Sequence, residues 1–132
     1  MSVFVDTSAW LALASAGDQD HPAARKAFAE LVARDERLVT TSYVLAETMG
    51  LIQHRLGWKP LELFAAMAQT CEVTWVDGAR HRAAEDLLFQ RRKRRVNIVD
   101  AASFTVMREL GLETAFAFDA DFAREGFQVL PG

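Results

Sequence analysis

Residues 114–119 read Thr-Ala-Phe-Ala-Phe-Asp, an unbroken apolar run that ends at an acid. A run without polar alternation is typical of a strand that is buried on both faces, and such strands occur in parallel sheets covered by helices. Near the start of the chain, Ser2 to Val5 forms a second short apolar run, which ends at Asp6. Together these two stretches predict an α/β fold built on a parallel sheet.

The remaining segments alternate between strand and helix patterns. We predict strands over 2–5, 38–41, 72–76, 114–118 and 127–130, and helices over 7–14, 21–34, 43–56, 61–70, 77–93, 98–110 and 119–125. Ser42 and Asn97 are predicted to cap their helices, and Gly57 and Gly111 to end them. This order predicts right-handed crossovers and a three-layer α/β/α fold with a central parallel sheet of about five strands.

The composition is that of one globular domain over residues 1–132. Hydrophobic residues make up 51% and charged residues 25%, which excludes a disordered or fibrous chain, and 132 residues leave no room for a second core. The single cysteine, Cys71, excludes an internal disulfide and favours a reducing cytoplasm. Since no run of about 18 uncharged apolar residues occurs, we predict no transmembrane helix.

Four acids occupy positions where an α/β sheet can bind ligands, beyond the carboxyl ends of its strands. Asp6 follows the first strand and Asp119 the fourth, while Glu47 and Asp100 lie near the starts of two helices in apolar surroundings. Each has a simpler explanation when taken alone, because aspartate is favoured at helix N-caps and acids are favoured in first turns. If all four acids converge at one edge of the sheet, however, capping alone no longer explains them.

Four carboxylates cannot share a pocket without compensation. At an effective dielectric near 20, two like charges about 4 Å apart repel by about 4 kcal/mol, so such a cluster must bind protons or cations. Carboxylate oxygens without sulfur or imidazole ligands favour magnesium or manganese. The sequence therefore predicts a nuclease-like site for one or two Mg²⁺ or Mn²⁺ ions.

Four short motifs resemble those of the PIN domain family. They are Val-Asp-Thr-Ser-Ala-Trp at 5–10, Ala-Glu-Thr at 46–48, Ile-Val-Asp-Ala-Ala-Ser-Phe at 98–104 and Phe-Asp-Ala-Asp-Phe at 118–122. Their order and spacing match the family across essentially the whole chain. Within the family, the compact length and the closing residues 127–132 resemble the VapC-type ribonuclease toxins of prokaryotic toxin–antitoxin pairs.

This resemblance implies a metal-dependent endoribonuclease. The catalytic and metal-binding quartet of the family then corresponds to Asp6, Glu47, Asp100 and Asp119. The small hydroxyl positions of the family correspond to Thr7, Ser8 and Ser103, which we expect to hold the carboxylates in place. Asp119 and Asp121 both fall in the last motif. We favour Asp119 because it directly follows the predicted strand, and Asp121 stays open as an outer or alternative ligand.

The expected chemistry is hydrolysis of an RNA phosphodiester by water that one or two divalent ions activate. In this hypothesis Asp6 and Asp100 are the inner ligands. Glu47 and Asp119 complete the site directly or bind through water.

The cations are concentrated in one short run. Lys and Arg number 15 against 18 Asp and Glu, for a net charge of −3, but five of the 15 are consecutive: Arg91, Arg92, Lys93, Arg94 and Arg95. The run precedes Asp100 closely, so it can bind RNA backbone that the acids would repel. A solvated helix end, where cations meet the helix dipole favourably, explains it equally well.

The resemblance also implies a homodimer and an antitoxin partner. Leu61, Phe64, Ala65 and Met67, in the helix pair spanning 43–70, are interpreted as a homodimer face or a groove for a partner helix, with burial against the sheet as the alternative. Two other functions stay open. One is an inactive PIN-like module that binds RNA or protein. The other is a haloacid-dehalogenase-like phosphatase that uses the aspartates of Asp119-Ala-Asp121. In such phosphatases the pair should follow the first strand, whereas here it follows the fourth predicted strand.

Overall fold

The computed structural model describes residues 1–132 and is built around a five-stranded sheet. The strands are β1 (Ser2–Val5), β2 (Arg37–Thr41), β3 (Glu72–Thr74), β4 (Thr114–Phe116) and β5 (Gln128–Leu130). Their order is β3-β2-β1-β4-β5, and every neighbouring pair is parallel. The predicted α/β class, with a central parallel sheet of about five strands, is confirmed.

Seven helices cover the sheet. They are α1 (Thr7–Ala14), α2 (His21–Ala33), α3 (Ser42–Leu56), α4 (Trp58–Ala68), α5 (Gly78–Arg91), α6 (Ile98–Leu110) and α7 (Asp121–Arg124). Consecutive strand residues point to opposite faces, and Val3, Phe4 and Val5 are all fully buried, so helices cover β1 on both sides. This burial is the three-layer arrangement that the sequence predicts. No helix combines the length and the apolar character needed to cross a membrane.

Two helix starts differ from the prediction. Thr41, not Ser42, caps α3, since Thr41 Oγ1 accepts a hydrogen bond from the Val44 amide at 3.1 Å. Ser42 instead accepts from the Val76 amide at 2.9 Å and so ties α3 to the segment after β3. Helix α4 begins at Trp58, two residues before Pro60, directly after Gly57 with its positive φ of 93°. Proline fits there because a first-turn amide has no partner within the helix.

The chain after β4 also differs. Strand β4 ends at Phe116, so Ala117 and Phe118 separate Asp119 from the strand. Asp119 Oδ1 accepts a hydrogen bond from the Asp121 amide at 2.9 Å, and α7 begins only at Asp121. A short turn therefore separates the strand from the helix, where the sequence predicts a continuous junction.

The strand order reverses between β1 and β4. The chain moves outward from β1 to β2 and β3, then returns to place β4 and β5 on the other side. Val5 pairs with Phe116, so the carboxyl ends of the two strands lie side by side. In open α/β sheets, ligands bind outside the carboxyl ends of strands at such a reversal. The fold therefore directs attention to the residues that follow β1 and β4.

Candidate active site

Asp6 is the first residue after β1 and is only 3% exposed. Its Oδ2 accepts hydrogen bonds from the Ser8 amide at 3.1 Å and from the Ser8 hydroxyl at 2.6 Å, which makes it the N-cap of α1. Its Oδ1 is buried and has no hydrogen-bond partner. Burial raises the pKa of Asp6 to about 6; the Ser8 hydrogen bonds oppose the rise and the charge of Asp119 adds to it. The capping role therefore accounts for one carboxylate oxygen and leaves the other unexplained.

Ser8 ties Asp6 to the chain that follows β4. Its hydroxyl donates to Asp6 and accepts a hydrogen bond from the Phe118 amide at 2.9 Å. Phe118 directly precedes Asp119, so one serine fixes the relative position of the two segments that carry these acids.

The other two hydroxyls do not bind a carboxylate in this structure, contrary to expectation. Thr7 Oγ1 accepts from Thr48 Oγ1 at 3.3 Å, which joins α1 to α3. Ser103 is fully buried and donates to the Val99 carbonyl at 3.0 Å, one turn earlier in α6. A serine inside a helix commonly bonds back to the preceding turn, and its hydroxyl proton is then used.

Asp100 lies in the first turn of α6 and is 8% exposed. It forms a capping box with Asn97: the Asn97 amide donates to Asp100 Oδ2 at 3.0 Å, and the Asp100 amide donates to Asn97 Oδ1 at 2.9 Å. Burial raises the pKa of Asp100 to about 7, the Asn97 hydrogen bond lowers it, and the charges of Asp6, Asp119 and Glu47 raise it further. A first-turn acid that only capped its helix would not sense three other carboxylates.

Asn97 is a site residue whose role the sequence did not reveal. Its Nδ2 donates to Glu47 Oε2 at 3.1 Å, so one side chain orients both Glu47 and Asp100. The Asn-x-x-Asp spacing predicts the cap, but no local pattern connects Asn97 to a residue 50 positions away.

The four predicted acids meet at the β1–β4 reversal. Asp6 and Asp100 are buried, while Glu47 and Asp119 are partly exposed beside them. The charges of the other three all raise the pKa of Asp100, which requires that they be close, since charge interactions weaken with distance and solvent screening. The structure thus brings together residues separated by more than 100 positions.

Asp121 belongs to a different arrangement. It is 2% exposed, and its Oδ1 accepts hydrogen bonds from Arg95 Nε and from Arg124 Nη1, both at 3.1 Å. Burial raises its pKa, but these two guanidinium groups lower it more, so the pKa stays below its usual value. Because two cations already neutralise this carboxylate, its charge is used within the fold, which disfavours both a metal-ligand role and a paired-aspartate phosphatase site; Asp121 as an outer or alternative ligand stays a prediction.

The basic run is divided between two roles. Arg91 binds Glu125 at 2.9 Å and Arg95 binds Asp121, so these two cations hold structure together. Arg92, in the left-handed conformation at the end of α5, and Arg94 are exposed and form no ion pair. Lys93 is partly buried.

The acid cluster fits a hard divalent cation held partly through water. No three of its His, Cys, Asp or Glu side chains are grouped so that they could hold one metal ion directly. Mg²⁺, however, usually retains several waters and is bound through one or two carboxylates. The partnerless, buried Oδ1 of Asp6 is the oxygen that most needs such a cation, because an unpaired buried acceptor is costly.

Comparison with known proteins identifies the family. The PIN domain matches residues 3–128. The chain belongs to the PIN domain family. The expected resemblance to this family, and the expected class of PIN-domain endoribonuclease, are confirmed.

Three relatives give the comparison its detail. The chain is 36% identical over 127 residues to the 23S rRNA-specific endonuclease VapC20 of two Mycobacterium tuberculosis strains, CDC 1551 / Oshkosh and ATCC 25618 / H37Rv, covering 95% of each chain. The crystal structure of M. tuberculosis VapC20, described as a sarcin-ricin loop cleaving toxin, matches with a TM-score of 0.84, 36% identity and 95% coverage of both chains. VapBC2 from Rickettsia felis, bound to a promoter DNA fragment, matches with a TM-score of 0.70 over 98% of this chain and 97% of that one; at 14% identity it shows the fold alone.

Proposed function

We propose that the protein is a divalent-metal-dependent endoribonuclease whose active site is the quartet Asp6, Glu47, Asp100 and Asp119. The observation that carries this proposal is the buried, partnerless Oδ1 of Asp6 among three other carboxylates at the β1–β4 reversal. Such a cluster is tolerable when it binds a cation, and magnesium or manganese suits its oxygen ligands.

Each residue has a distinct role in this site. Asp6 and Asp100 would hold the ion directly, and Glu47 and Asp119, which are more exposed, would act through water. Ser8 orients Asp6, and Asn97 orients Glu47 and Asp100. When bound, one or two divalent ions activate water as the nucleophile and stabilise the charge that develops on the phosphate.

Substitution of the two buried acids tests the site. Asp6→Asn and Asp100→Asn should each reduce RNA cleavage with Mg²⁺ or Mn²⁺ by about 100-fold or more, the range found when a preorganised charge at a reacting centre is removed. Asp86→Asn, an exposed acid on α5, is the matched control and should cleave normally. Unchanged turnover in the Asp6 and Asp100 variants would remove the quartet from the chemistry and favour a binding module without activity.

We further propose that the substrate is a ribosomal RNA loop. The support is the 36% identity, over almost the whole chain, to a relative named for cleavage of 23S rRNA. Purified ribosomes, transfer RNA and messenger RNA should be compared under identical conditions, with cleavage sites mapped by primer extension. A single cut in the large-subunit rRNA is expected, and preferential cleavage of transfer or messenger RNA would contradict this assignment.

We assign binding of the RNA phosphate backbone to Arg92 and Arg94, because Arg91 and Arg95 already form ion pairs within the protein. The double variant Arg92→Gln/Arg94→Gln should weaken RNA binding. The slope of the logarithm of the binding constant against the logarithm of the salt concentration should fall in magnitude by about 1 to 2, as expected for two lost phosphate contacts. Arg25→Gln/Arg34→Gln, with Arg25 on α2 and Arg34 at its C-cap, removes the same charge elsewhere. Equal slopes for the two double variants would show that the basic run is only a solvated helix end.

An antitoxin partner is proposed for the groove between α1 and α4. Leu61 and Phe64 are buried, the latter against Trp10, so they belong to the core. Leu63 is 59% exposed and lines a cavity of about 160 Å³ together with Trp10, whose buried Nε1 has no acceptor. An apolar helix with a polar edge fits this groove.

The variant Leu63→Asp tests this surface. It should abolish complex formation with the protein encoded by an adjoining small reading frame, while RNA cleavage is retained. A complex that forms as well as with the wild type would contradict the proposed groove.

We also propose a homodimer that acts in the cytoplasm, where its RNA substrate lies. Met49 on α3 and Phe89 on α5 are 41% and 61% exposed, more than a single core explains. Sedimentation at several concentrations tests the dimer. A dimer that Phe89→Asp converts to a monomer supports the proposal, and a monomer at all concentrations contradicts it.

A further inference from the structure

Two segments that carry acids of the site are joined by ion pairs whose carboxylates are buried and whose arginines are partly exposed. One segment runs from the end of α5 to Asp100, and the other runs from Asp119 through α7. Asp121 and Glu125 project from the second segment, and their side chains are 2% and 6% exposed. Each carboxylate accepts hydrogen bonds from two arginines, at least one of which belongs to the first segment.

The Asp121 pair forms the link nearest to the site. Arg95 Nε donates to both Oδ1 and Oδ2 of Asp121 at 3.1 Å. Arg124 Nη1 donates to the same Oδ1 at 3.1 Å, but Arg124 lies three residues later on α7 itself. Of the two arginines, therefore, only Arg95 connects separate segments.

The pair is connected to three acids of the quartet, by a hydrogen bond on one side and through two residues of backbone on the other. On one side, the Asp121 amide donates to Asp119 Oδ1 at 2.9 Å. On the other side, Arg95 is two residues before Asn97, which binds Asp100 in the capping box and Glu47 through its side chain. The Arg95–Asp121 pair thus joins the turn that holds Asp119 to the helix start that holds Asp100.

Glu125 joins the same two regions further from the acids. It accepts from Arg91 Nε at 2.9 Å and Nη2 at 3.1 Å, and from Arg108 Nη2 at 2.9 Å. Arg108 lies in the last turn of α6, so this carboxylate connects α5, α6 and α7. It stabilises the packing without contacting a residue of the quartet.

We propose that Arg95 and Asp121 are positioning residues that set the spacing of Asp100 and Asp119, and thereby the affinity of the quartet for a divalent cation. This inference rests on the proposed metal-dependent function. It also explains why an acid lies two residues from Asp119: its charge is used to hold an arginine and does not enter the metal site.

The test compares Arg95→Gln with Arg124→Gln. Both variants remove one positive charge from beside Asp121; Arg95→Gln removes two 3.1 Å contacts and Arg124→Gln removes one. Both leave Asp121 one arginine partner, so neither exposes an unpaired buried charge. Mn²⁺ binding is measured by titration calorimetry without RNA, and hydrogen exchange of the 96–100 amides is measured without metal. Arg95→Gln should weaken Mn²⁺ binding about 10-fold, the range found for residues that orient metal ligands. Arg124→Gln should change it less than about 2-fold.

The direction of the change separates positioning from simple electrostatics. Loss of a nearby positive charge should by itself strengthen cation binding, whereas loss of positioning weakens it. Arg95→Gln should also accelerate exchange at 96–100 and raise the metal concentration required for half-maximal cleavage, with kcat at saturating Mn²⁺ retained. Arg95→Lys, which keeps the charge, should recover part of the affinity.

Three results would overturn the inference. Equal effects of the two variants, or tighter Mn²⁺ binding by Arg95→Gln, would show that Arg95 acts only through its charge. Wild-type affinity and exchange in Arg95→Gln would show that the pair only stabilises α7. In each of these three cases the nuclease assignment stands. If the wild-type protein fails to bind Mn²⁺ at all, the proposed metal-dependent function fails, and this inference fails with it.

Discussion

At the scale of single residues, the proposed site contains acids whose burial disfavours the ionised form of their carboxyl groups. Asp6 and Asp100 have pKa values raised to about 6 and about 7, mainly because burial disfavours ionisation. Asp121 is buried as well, yet its pKa is lowered because two arginines bind it. Acids that look alike in the sequence are thus separated by their partners: Asp6 and Asp100 have no cationic partner and are the proposed metal ligands, whereas Asp121 binds two arginines.

The first prediction concerns stability against pH without metal. Because the folded pKa of Asp100 exceeds its unfolded value near 4, its stabilising contribution is fully present below about pH 4 and is lost as the pH rises through about 7. Asp100→Asn keeps the cap and removes this loss, so it should be more stable than the wild type by about 1 to 2 kcal/mol at pH 8 and similar to it at pH 4. Urea denaturation in EDTA measures both. A variant equally or less stable than the wild type at pH 8 would contradict the assigned cause.

The second prediction concerns Asn97. Serine is also a good N-cap, so Asn97→Ser should change the free energy of unfolding by less than about 0.5 kcal/mol. It cannot reach Glu47, so cleavage should fall about 10-fold, the usual cost of losing a group that orients a site carboxylate. Thr41→Ser, at the cap of α3, makes the corresponding change away from this contact and should retain activity. Full activity in Asn97→Ser would show that Glu47 needs no orientation.

At the scale of elements, patterns local in sequence were predictable and ion pairs between elements were not. The apolar runs at 2–5 and 114–118 predict their strands because burial on both faces leaves a continuous signature. The sequence pattern places the cap of α3 one residue too late because threonine and serine are both good caps, and only the contact of Ser42 with Val76 distinguishes Thr41 from Ser42. The pairing of Arg95 with Asp121 spans 26 positions and leaves no periodic signal.

The third prediction concerns Glu125, which connects three helices. Glu125→Gln should lower the free energy of unfolding by about 2 kcal/mol. The substitution removes the charge of a largely buried carboxylate, so Arg91 and Arg108 both lose their charged partner. Glu109→Gln, which breaks an exposed pair with Arg80, should cost less than about 1 kcal/mol. Urea denaturation at pH 7 compares them, and equal costs would show that burial of Glu125 adds nothing.

At the scale of the whole molecule, the strand order creates the site. The carboxyl ends of β1 and β4 lie side by side at the reversal, and acids from four distant parts of the chain meet there. The sequence predicted this convergence because each acid occupies a defined place in a parallel α/β sheet. It predicted Ser8 as a support of the carboxylates, but not the contact of Asn97 with Glu47 or that of Arg95 with Asp121, since those partners are brought near only by folding.

The most direct measurement is an anomalous difference map from a crystal soaked in Mn²⁺. A peak between the carboxylates of Asp6 and Asp100, with Glu47 and Asp119 nearby and no peak at Asp121, is predicted. The same soak of Asp6→Asn/Asp100→Asn should show no peak there. Absence of manganese from the quartet in the wild-type crystal, or manganese bound at Asp121 instead, would contradict the assignment of these acids to a divalent-metal site.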